Sequence, residues 1–464
     1  MVFWMPKISV IIPAYNQAEY LPIAIQSVLQ QTFQDWELIV VDDGSTDVTK
    51  DVMAQIKDQR VRYVYQENKG LPGARNTGIG HSSGKYLSFL DADDYYHPDK
   101  LAIQANHLDQ NTEVGLSYAS RISVDQKGDP LRLHRAACEV SLKDFFEGFP
   151  FTINDLLVRR SWVESINGFD ETFALHSEDR DFYLRLALQG CLFARVAKVL
   201  SYRRVHLDRA FKNLPAKLDA MFRALETAFS DPRCTPEVLA LRDGAYGRDY
   251  LVWGYQAAFQ GETALANFYF NEAMRLNPAL LENDGIRLVR FIVHAAIADG
   301  GEHEEKIKNV INQIPMDKRW IKHSQDWAIA YGYLMRGARD VFWGRSENGR
   351  RYFQKATGQR EGIDDEFLRY WSEQILNYGM EYGPKRAMIV LLDLDHHLRE
   401  IGEYWHSRTM KAYFYLNQAF QSYKSGEYSK VPRQAFLAIN NNPKHLMNRG
   451  VMSITLRSIL KNLE

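Results

Sequence analysis

Three short apolar runs in the first hundred residues, each ending in polar residues and each separated from the next by a helix signal, constrain this chain more than anything else in it. Lys7 to Ile12 is apolar and β-branched, Trp36 to Val41 reads as a buried strand, and Tyr86 to Leu90 reads the same way. Between them Tyr20 to Gln31 carries a helical stripe, Asp47 to Lys57 reads as a helix after the turn residues Gly44-Ser45-Thr46, Val61 to Tyr65 as a strand and Gly73 to Gly80 as a short helix. Unbroken apolar strands alternating with helices predict an α/β domain whose mostly parallel sheet is covered on both faces. In such sheets ligands gather beyond the carboxyl ends of the strands. Those ends read Pro13-Ala14-Tyr15-Asn16, Asp42-Asp43-Gly44 and Asp91-Ala92-Asp93, so three polar strand ends converge on one edge.

The last of them carries chemistry. Alternate residues of an extended chain point the same way, which lets Asp91 and Asp93 converge on one cation while Ala92 faces elsewhere. Carboxylate oxygens suit Mg²⁺ or Mn²⁺, and such ions keep positions open for phosphate oxygens. An isolated D-x-D serves equally well to cap a surface turn. Its place beside two other polar strand ends favours a nucleotide-diphosphate site, while Asp94, pointing the other way, reads as a turn or cap residue. Gly78-Ile79-Gly80-His81-Ser82-Ser83-Gly84-Lys85 looks phosphate-binding but has Ile79 at the first glycine position of a P-loop and Tyr86 at its Ser/Thr position, so it reads as a helix end and a turn.

At 464 residues the chain exceeds one ordinary core. Its 57 Lys+Arg against 58 Asp+Glu give no overall pull toward nucleic acid, so an anionic ligand must be held by local charge. Cys138, Cys191 and Cys234 match neither a disulfide framework nor a zinc pattern, which fits a reducing cytoplasm. No secretory leader opens the sequence, and no uncharged apolar run reaches transmembrane length. Phe3 and Trp4 offer at most a peripheral membrane contact.

From about Phe211 strand-like alternation fades and amphipathic helices take over. The expected division is an α/β domain over 1–210 and an α-helical domain over 211–464. Tyr250, Gly254, Gly261, Ala266, Phe270, Ala273 and Pro278 fall at the small, aromatic and terminating positions of a 34-residue helix-turn-helix repeat. Tyr415, Ala419, Gly426, Ala438 and Pro443 repeat the pattern, with Val431 and Ala435 departing from it. Both windows resemble tetratricopeptide repeats, a class of surface that binds extended partners.

Residues 7 to about 206 resemble a family 2 glycosyltransferase with the GT-A fold. The resemblance is carried, in order, by Ile8-Ser9-Val10-Ile11-Ile12-Pro13-Ala14-Tyr15-Asn16, by Ser27-Val28-Leu29-Gln30-Gln31-Thr32, by Val40-Val41-Asp42-Asp43-Gly44-Ser45-Thr46-Asp47, by Gly73-Ala74-Arg75-Asn76-Thr77-Gly78 and by Asp91-Ala92-Asp93-Asp94. It implies that Tyr15 lies against the nucleobase, that Asp43 accepts hydrogen bonds from the base, and that Arg75 approaches the diphosphate or base. Pro13 and Ala92 complete the nucleotide-binding set; Asp91 would touch ribose and metal, and Asp93 would be the more direct ligand of Mn²⁺ or Mg²⁺. Gly168-Phe169-Asp170-Glu171, then Ser177-Glu178-Asp179-Arg180-Asp181, resembles the family's base motif and implies Asp179 as the base. Those acids equally suit the positive end of a helix dipole. Tyr202-Arg203-Arg204-Val205-His206 resembles the basic end of the catalytic domain, with His206 matching a histidine that completes the metal shell.

The resemblance implies an inverting transfer of a sugar from a UDP- or GDP-type donor to a hydroxyl of a saccharide or lipid-linked saccharide, in polysaccharide or glycoconjugate synthesis. A helical scaffold joined to an inactive transferase domain, with a protein partner on the helical region, is the alternative reading. A sugar nucleotidyltransferase ranks below both, because no glycine- and arginine-rich triphosphate loop follows the first strand.

Overall fold

The computed structural model describes residues 5–173, 177–206, 213–298, 300–356, 363–401 and 404–462. Phe3, Trp4 and the domain boundary expected at 210 lie outside them. The chain divides into two compact units, residues 1–287 with 313–315, and residues 288–312 with 316–464.

The first unit is built on a nine-stranded sheet. Its strands are β1 (Ile8–Ala14), β2 (Trp36–Asp42), β3 (Val61–Tyr65), β4 (Tyr86–Phe89), β5 (Tyr95–Tyr96), β6 (Val114–Val124), β7 (Pro130–His134), β8 (Leu156–Arg159) and β9 (Leu192–Arg204). The order is β3-β2-β1-β4-β8-β6-β9-β5, with β7 paired to β6. The expected parallel character holds from β3 to β4; beyond β4 the sheet is mixed, with β8 antiparallel to β4 and β6 parallel to β9. Helices α1 (Leu21–Leu29), α2 (Thr49–Gln55), α3 (Gly70–Gly80), α4 (Lys100–Gln110), α5 (Leu142–Glu147), α6 (Arg160–Ser165) and α7 (Glu178–Leu188) connect the strands.

β1 explains why its sequence is unbroken by polar residues, since both of its faces are buried. Ile8, Val10 and Ile12 enter a core with Leu21, Ile25 and Val28 of α1 and Leu101 and Leu108 of α4. Ile11 enters another, with Leu87 and Phe89 of β4 and Phe182 and Leu186 of α7. Alternate residues of one strand thus serve two cores, the pattern of a sheet covered on both sides. α3 comes so close to β1 that a methyl group at Gly78 would lie 2.3 Å from Ile11 Cγ2. That packing is the use of the glycine in Gly78-Ile79-Gly80, which ends α3 as the sequence indicated.

After β9 the unit continues through α8 (Leu214–Phe229), α9 (Pro236–Leu239), α10 (Arg242–Phe259) and α11 (Thr263–Leu276). α10 and α11 form a helical hairpin turning at Gly261, whose φ of +78° suits a residue without Cβ. A methyl group at Gly254 would lie 3.0 Å from the Phe270 ring, so the small and aromatic positions of the first repeat window face each other. In the second unit the helices Tyr404–Lys424 and Val431–Asn441 turn at Gly426, again with φ of +78°, and Ala419 and Val431 share a small core with Ile454. The same unit holds the 25-residue helix Lys318–Phe342 and a buried Asp395 bonded to Ser407, Lys411 and Arg399. Among the described residues no helix is long and apolar enough to cross a membrane.

One buried ion pair ties α7 to α10. Arg180 donates from both terminal nitrogens to Asp249, at 2.5 and 3.1 Å, with both side chains at most 2% exposed. Removing one partner strands the other charge in a low-dielectric site. Asp249→Ala is expected to destabilise this unit by about 3–5 kcal/mol, whereas the apolar double replacement Arg180→Met with Asp249→Leu costs far less. Urea unfolding of the two variants, followed by tryptophan fluorescence, checks the order; equal losses would mean that the pair contributes no such electrostatic term.

Candidate active site

The carboxyl ends of β2, β1 and β4 lie side by side, because these strands run parallel with Ile8 opposite both Trp36 and Tyr86. Each end is tied to its neighbour. Asp43 N donates to Ala14 O at 2.8 Å, and Asn16, in the left-handed region at φ of +53°, accepts from Thr46 N at 2.8 Å. Tyr15, just past β1, is 50% exposed and offers a flat ligand a large aromatic surface at this edge. Pro13 is buried within β1 opposite Val41. Asp43 is also buried, and its Oδ1 accepts from Gln66 Nε2 at 2.6 Å and Lys69 N at 2.9 Å.

The acidic segment departs from the extended geometry assumed for it. Asp94 N donates to Asp91 O at 3.0 Å, closing a tight turn over residues 91–94, so the two-residue alternation of a strand does not apply. Ala92 faces the core and is 4% exposed, which leaves its side chain no part in holding a nucleotide. Asp94 fills the cap role expected of it: it is buried, and it accepts from Asn154 Nδ2 at 2.5 Å and from Arg204 N at 2.6 Å. Burial, then the neighbouring Asp93 and Asp91 charges, pushes its carboxyl well above the usual carboxylate range.

Asp91 and Asp93 are drawn apart by different partners. Asp91 Oδ1 accepts from Arg75 at 2.9 Å, and Asp91 N donates to Asn154 Oδ1 at 2.7 Å. Asp93 Oδ2 instead lies 2.8 Å from His206 Nε2, and the His206 ring meets Tyr20 edge-on at 5.3 Å between centroids. Among the described residues no three His, Cys, Asp or Glu side chains form a metal-binding group, so Asp91, Asp93 and His206 are not assembled as a single ligand set. The pair Asp93–His206 fits a divalent cation as a partial holder: one carboxylate oxygen and one imidazole nitrogen, each about one-fifth exposed, with the rest of a shell left to phosphate oxygens.

Arg75 is placed differently from the sequence expectation. It is 1% exposed, which keeps it from reaching out to a diphosphate. Its guanidinium bridges Asp91 at 2.9 Å and Glu178 at 2.8 Å, while the Phe169 ring lies 5.2 Å from it. Burial works against its charge, but Asp91 and Glu178 outweigh that and hold it more firmly protonated than usual.

This bridge brings the start of α7 to the acidic turn. Ser177, forced to φ of +71°, precedes the helix with its hydroxyl buried and unpartnered. Such strain in a non-glycine residue persists only where the surrounding contacts over-determine it. Asp179 follows, its Oδ1 accepting from Arg180 N at 2.8 Å. Burial raises the Asp179 carboxyl above the usual range; the nearby Arg75 cation opposes the rise and the Asp91 charge adds to it. Glu178 is raised too, first by burial and then by Asp179, against Arg75. Asp179 therefore lies within reach of the Arg75 and Asp91 charges, while Asp93, two residues on from Asp91, is held by His206. Asn154 and Glu178 were missed from the sequence. Asn154 sits 63 residues from Asp91 in a stretch with no local motif, whereas Glu178 stood beside the expected base.

Residues 9–168 match the profile of Glycosyl transferase family 2. An uncharacterized glycosyltransferase of Rickettsia felis is 42% identical over 123 residues, 26% of this chain and 20% of the relative. The putative teichuronic acid biosynthesis glycosyltransferase TuaG of Bacillus subtilis is 39% identical over 134 residues, 28% of this chain and 53% of the relative. The chain thus spans only part of the length of these relatives. A crystal structure of S. aureus TarS with UDP-GlcNAc aligns over 76% of this chain and 93% of that one, at 16% identity and a TM-score of 0.44.

The Arg75 bridge has a measurable consequence. Arg75→Met leaves Asp91 and Glu178 unpaired, at a cost of about 3–5 kcal/mol near neutral pH. Glu178 already binds its proton more tightly in the folded chain than a free carboxyl does, and losing Arg75 tightens it further. A raised folded pKa favours the folded state as pH falls through that pKa, so the deficit should shrink on acidification. Urea midpoints of wild type and variant at pH 5 and pH 7.5 measure this; a deficit independent of pH would show that the pair is not what holds the two carboxylates. Residues 9–168 thus match glycosyl transferase family 2, and the unit that holds them has the mixed α/β sheet of the GT-A fold class.

Proposed function

We propose that this protein transfers a sugar from a UDP- or GDP-type nucleotide-diphospho-sugar to a hydroxyl acceptor, with inversion at the anomeric carbon, in the synthesis of a polysaccharide or glycoconjugate. The observation that supports this reading is the Arg75 bridge from Asp91 of the acidic turn to Glu178, which brings Asp179 within reach of the Arg75 and Asp91 charges. The exposed Tyr15 ring offers the nucleobase a flat apolar surface. Asp43, anchored by Gln66 and Lys69 N, shapes the edge against which the base rests. Asp91, fixed by Arg75 and Asn154, presents its remaining acceptor capacity to the ribose.

Asp93 and His206 would hold Mn²⁺ or Mg²⁺, which when bound neutralises charge developing on the departing diphosphate. Asp179 takes the proton of the acceptor hydroxyl as its oxygen attacks from the side opposite the leaving group. Inversion follows from that single displacement. Asp179 suits the task because burial raises its carboxyl, making it a stronger base than a solvated aspartate. The two helical hairpins are read as tetratricopeptide-type repeats that hold a protein partner of a cytoplasmic enzyme; Gly254 set against Phe270 and the glycine turns at 261 and 426 support this.

Asp179→Asn is expected to bind UDP or GDP with Mn²⁺ as wild type does, yet to lose about 10²- to 10⁴-fold in transfer rate. Asp93→Ala should lose metal-dependent nucleotide binding itself. Calorimetry and a donor-consumption assay separate the two, and wild-type transfer by Asp179→Asn would end the base assignment. The base acts only when ionised, so the wild-type rate should rise with pH through a limb lying above the ordinary carboxylate range. A plateau already complete near pH 4 would contradict that assignment.

A further inference from the structure

Resting on the glycosyltransferase reading above, we propose that the acceptor side of this cleft carries a second anion site, formed by Arg203, Arg121 and His134, for a phosphate or carboxylate group borne by the acceptor. The strand register assembles it. Arg121 of β6 lies opposite His134 of β7, and Ser123, two residues on and therefore on the same face, lies opposite both Arg132 of β7 and Arg203 of β9.

Positive charge exceeds negative charge there. Arg121 is 9% exposed and pairs with Asp155 at 2.9 Å, yet its Nε has no partner. Asp155 is already fully engaged, accepting also from Thr152 N at 2.7 Å and Ser201 Oγ at 2.5 Å. Arg203 is exposed and makes no hydrogen bond or ion pair among the described residues. His134 is bonded through Nε2 to Ser123 Oγ at 2.8 Å. Burial, then the charges of Arg121, Arg132 and Arg203, drives its imidazole well below the usual range and keeps it neutral. Three arginines thus act on His134, against two carboxylates, Asp155 paired with Arg121 and Asp94 within reach of the Arg203 charge, in a chain whose formal charge is -1.

The placement marks the acceptor side. Tyr183 lies one turn after Asp179 on α7, fully buried, with its hydroxyl unpartnered. That hydroxyl feels the charges of both Asp179 and Asp155, and Arg121 feels it in turn. The cationic group therefore lies between the base and the acidic turn, whose Asp91 acts on Tyr183 as well and whose Asp94 feels Arg203. Arg204, the next residue of β9, faces the other way and donates to Asp93 O at 3.1 Å, on the side of the acidic turn. An acceptor bearing an anion would place that anion on Arg203 and Arg121 and so bring a neighbouring hydroxyl toward Asp179.

The test titrates inorganic phosphate, glycerol 3-phosphate and glucuronate into the full chain saturated with UDP or GDP and Mn²⁺, with glycerol and glucose as neutral controls. Calorimetry is read beside the NMR signal of the His134 imidazole. The anions should bind and shift that signal, the neutral controls should not, and Arg203→Gln should weaken anion binding about tenfold while nucleotide binding stays at wild-type strength. Preference for glycerol 3-phosphate or for glucuronate decides between phosphate and carboxylate. Unchanged anion binding in Arg203→Gln overturns the proposal, as does displacement of phosphate by the nucleotide, which would make the cluster the donor's own seat. Anion binding that persists where no nucleotide binds with Mn²⁺ supports this site and retires the donor reading instead.

Discussion

The contact on which the catalytic half depends is the buried Arg75 guanidinium between Asp91 and Glu178. It joins the end of β4 to the start of α7, elements separated by 16 residues on one side of Arg75 and 103 on the other. A buried cation is tolerable only when paired, and here it is paired twice. Two carboxylates against one guanidinium leave the group net negative, and Asp179 adds a third. With burial already raising Glu178 and Asp179, the excess is relieved in one of two ways: by protons taken up or by a cation brought in. The same electrostatic imbalance thus underlies both proposed roles, that of Asp179 as base and that of the neighbouring edge as holder of a divalent ion.

What could be read from the sequence follows the range of the forces involved. Apolar periodicity is local, and it located β1, β2, β3 and β4 to within two residues; β1, β2 and β4 are buried on both faces, while β3 at the edge of the sheet is only partly buried. It also located the shared edge, since parallel neighbours present their carboxyl ends together. The alternation rule failed at Asp91 to Asp94 because the Asp94 N to Asp91 O bond closes a turn there, a backbone event that side-chain identity alone does not announce. Arg75 was placed in the right neighbourhood but facing the wrong partner. Its true partners became visible only when tertiary packing brought Glu178 to it, and Asn154, which holds both Asp91 and Asp94, had no local signature at all.

The mixed half of the sheet illustrates the same limit. β6 is buried along its whole length, yet it carries Arg121, Ser123 and two further serines inward, so it lacks the uninterrupted apolar signal of β1. Arg121 bonds to Asp155 and Ser123 to His134, while Ser117 bonds to His107 and Ser120 accepts from Ala136 N. Only the register, β6 antiparallel to β7 and parallel to β9, reveals that charges scattered over some eighty residues share one face.

Acidic and basic groups in this cleft meet at a single dipeptide. Asn154 bonds to Asp91 and Asp94, while Asp155, the next residue, bonds to Arg121 and Ser201. Both belong to one short 3-10 turn whose capping box is closed by Thr152 and Asp155 itself. A turn so tightly bonded cannot move one side chain without moving the other. The spacing between the acidic turn and the Arg121 pair is therefore not the sum of two independent placements. It is set once, by the turn, which in a protein with almost no net charge fixes the separation of these opposite local charges.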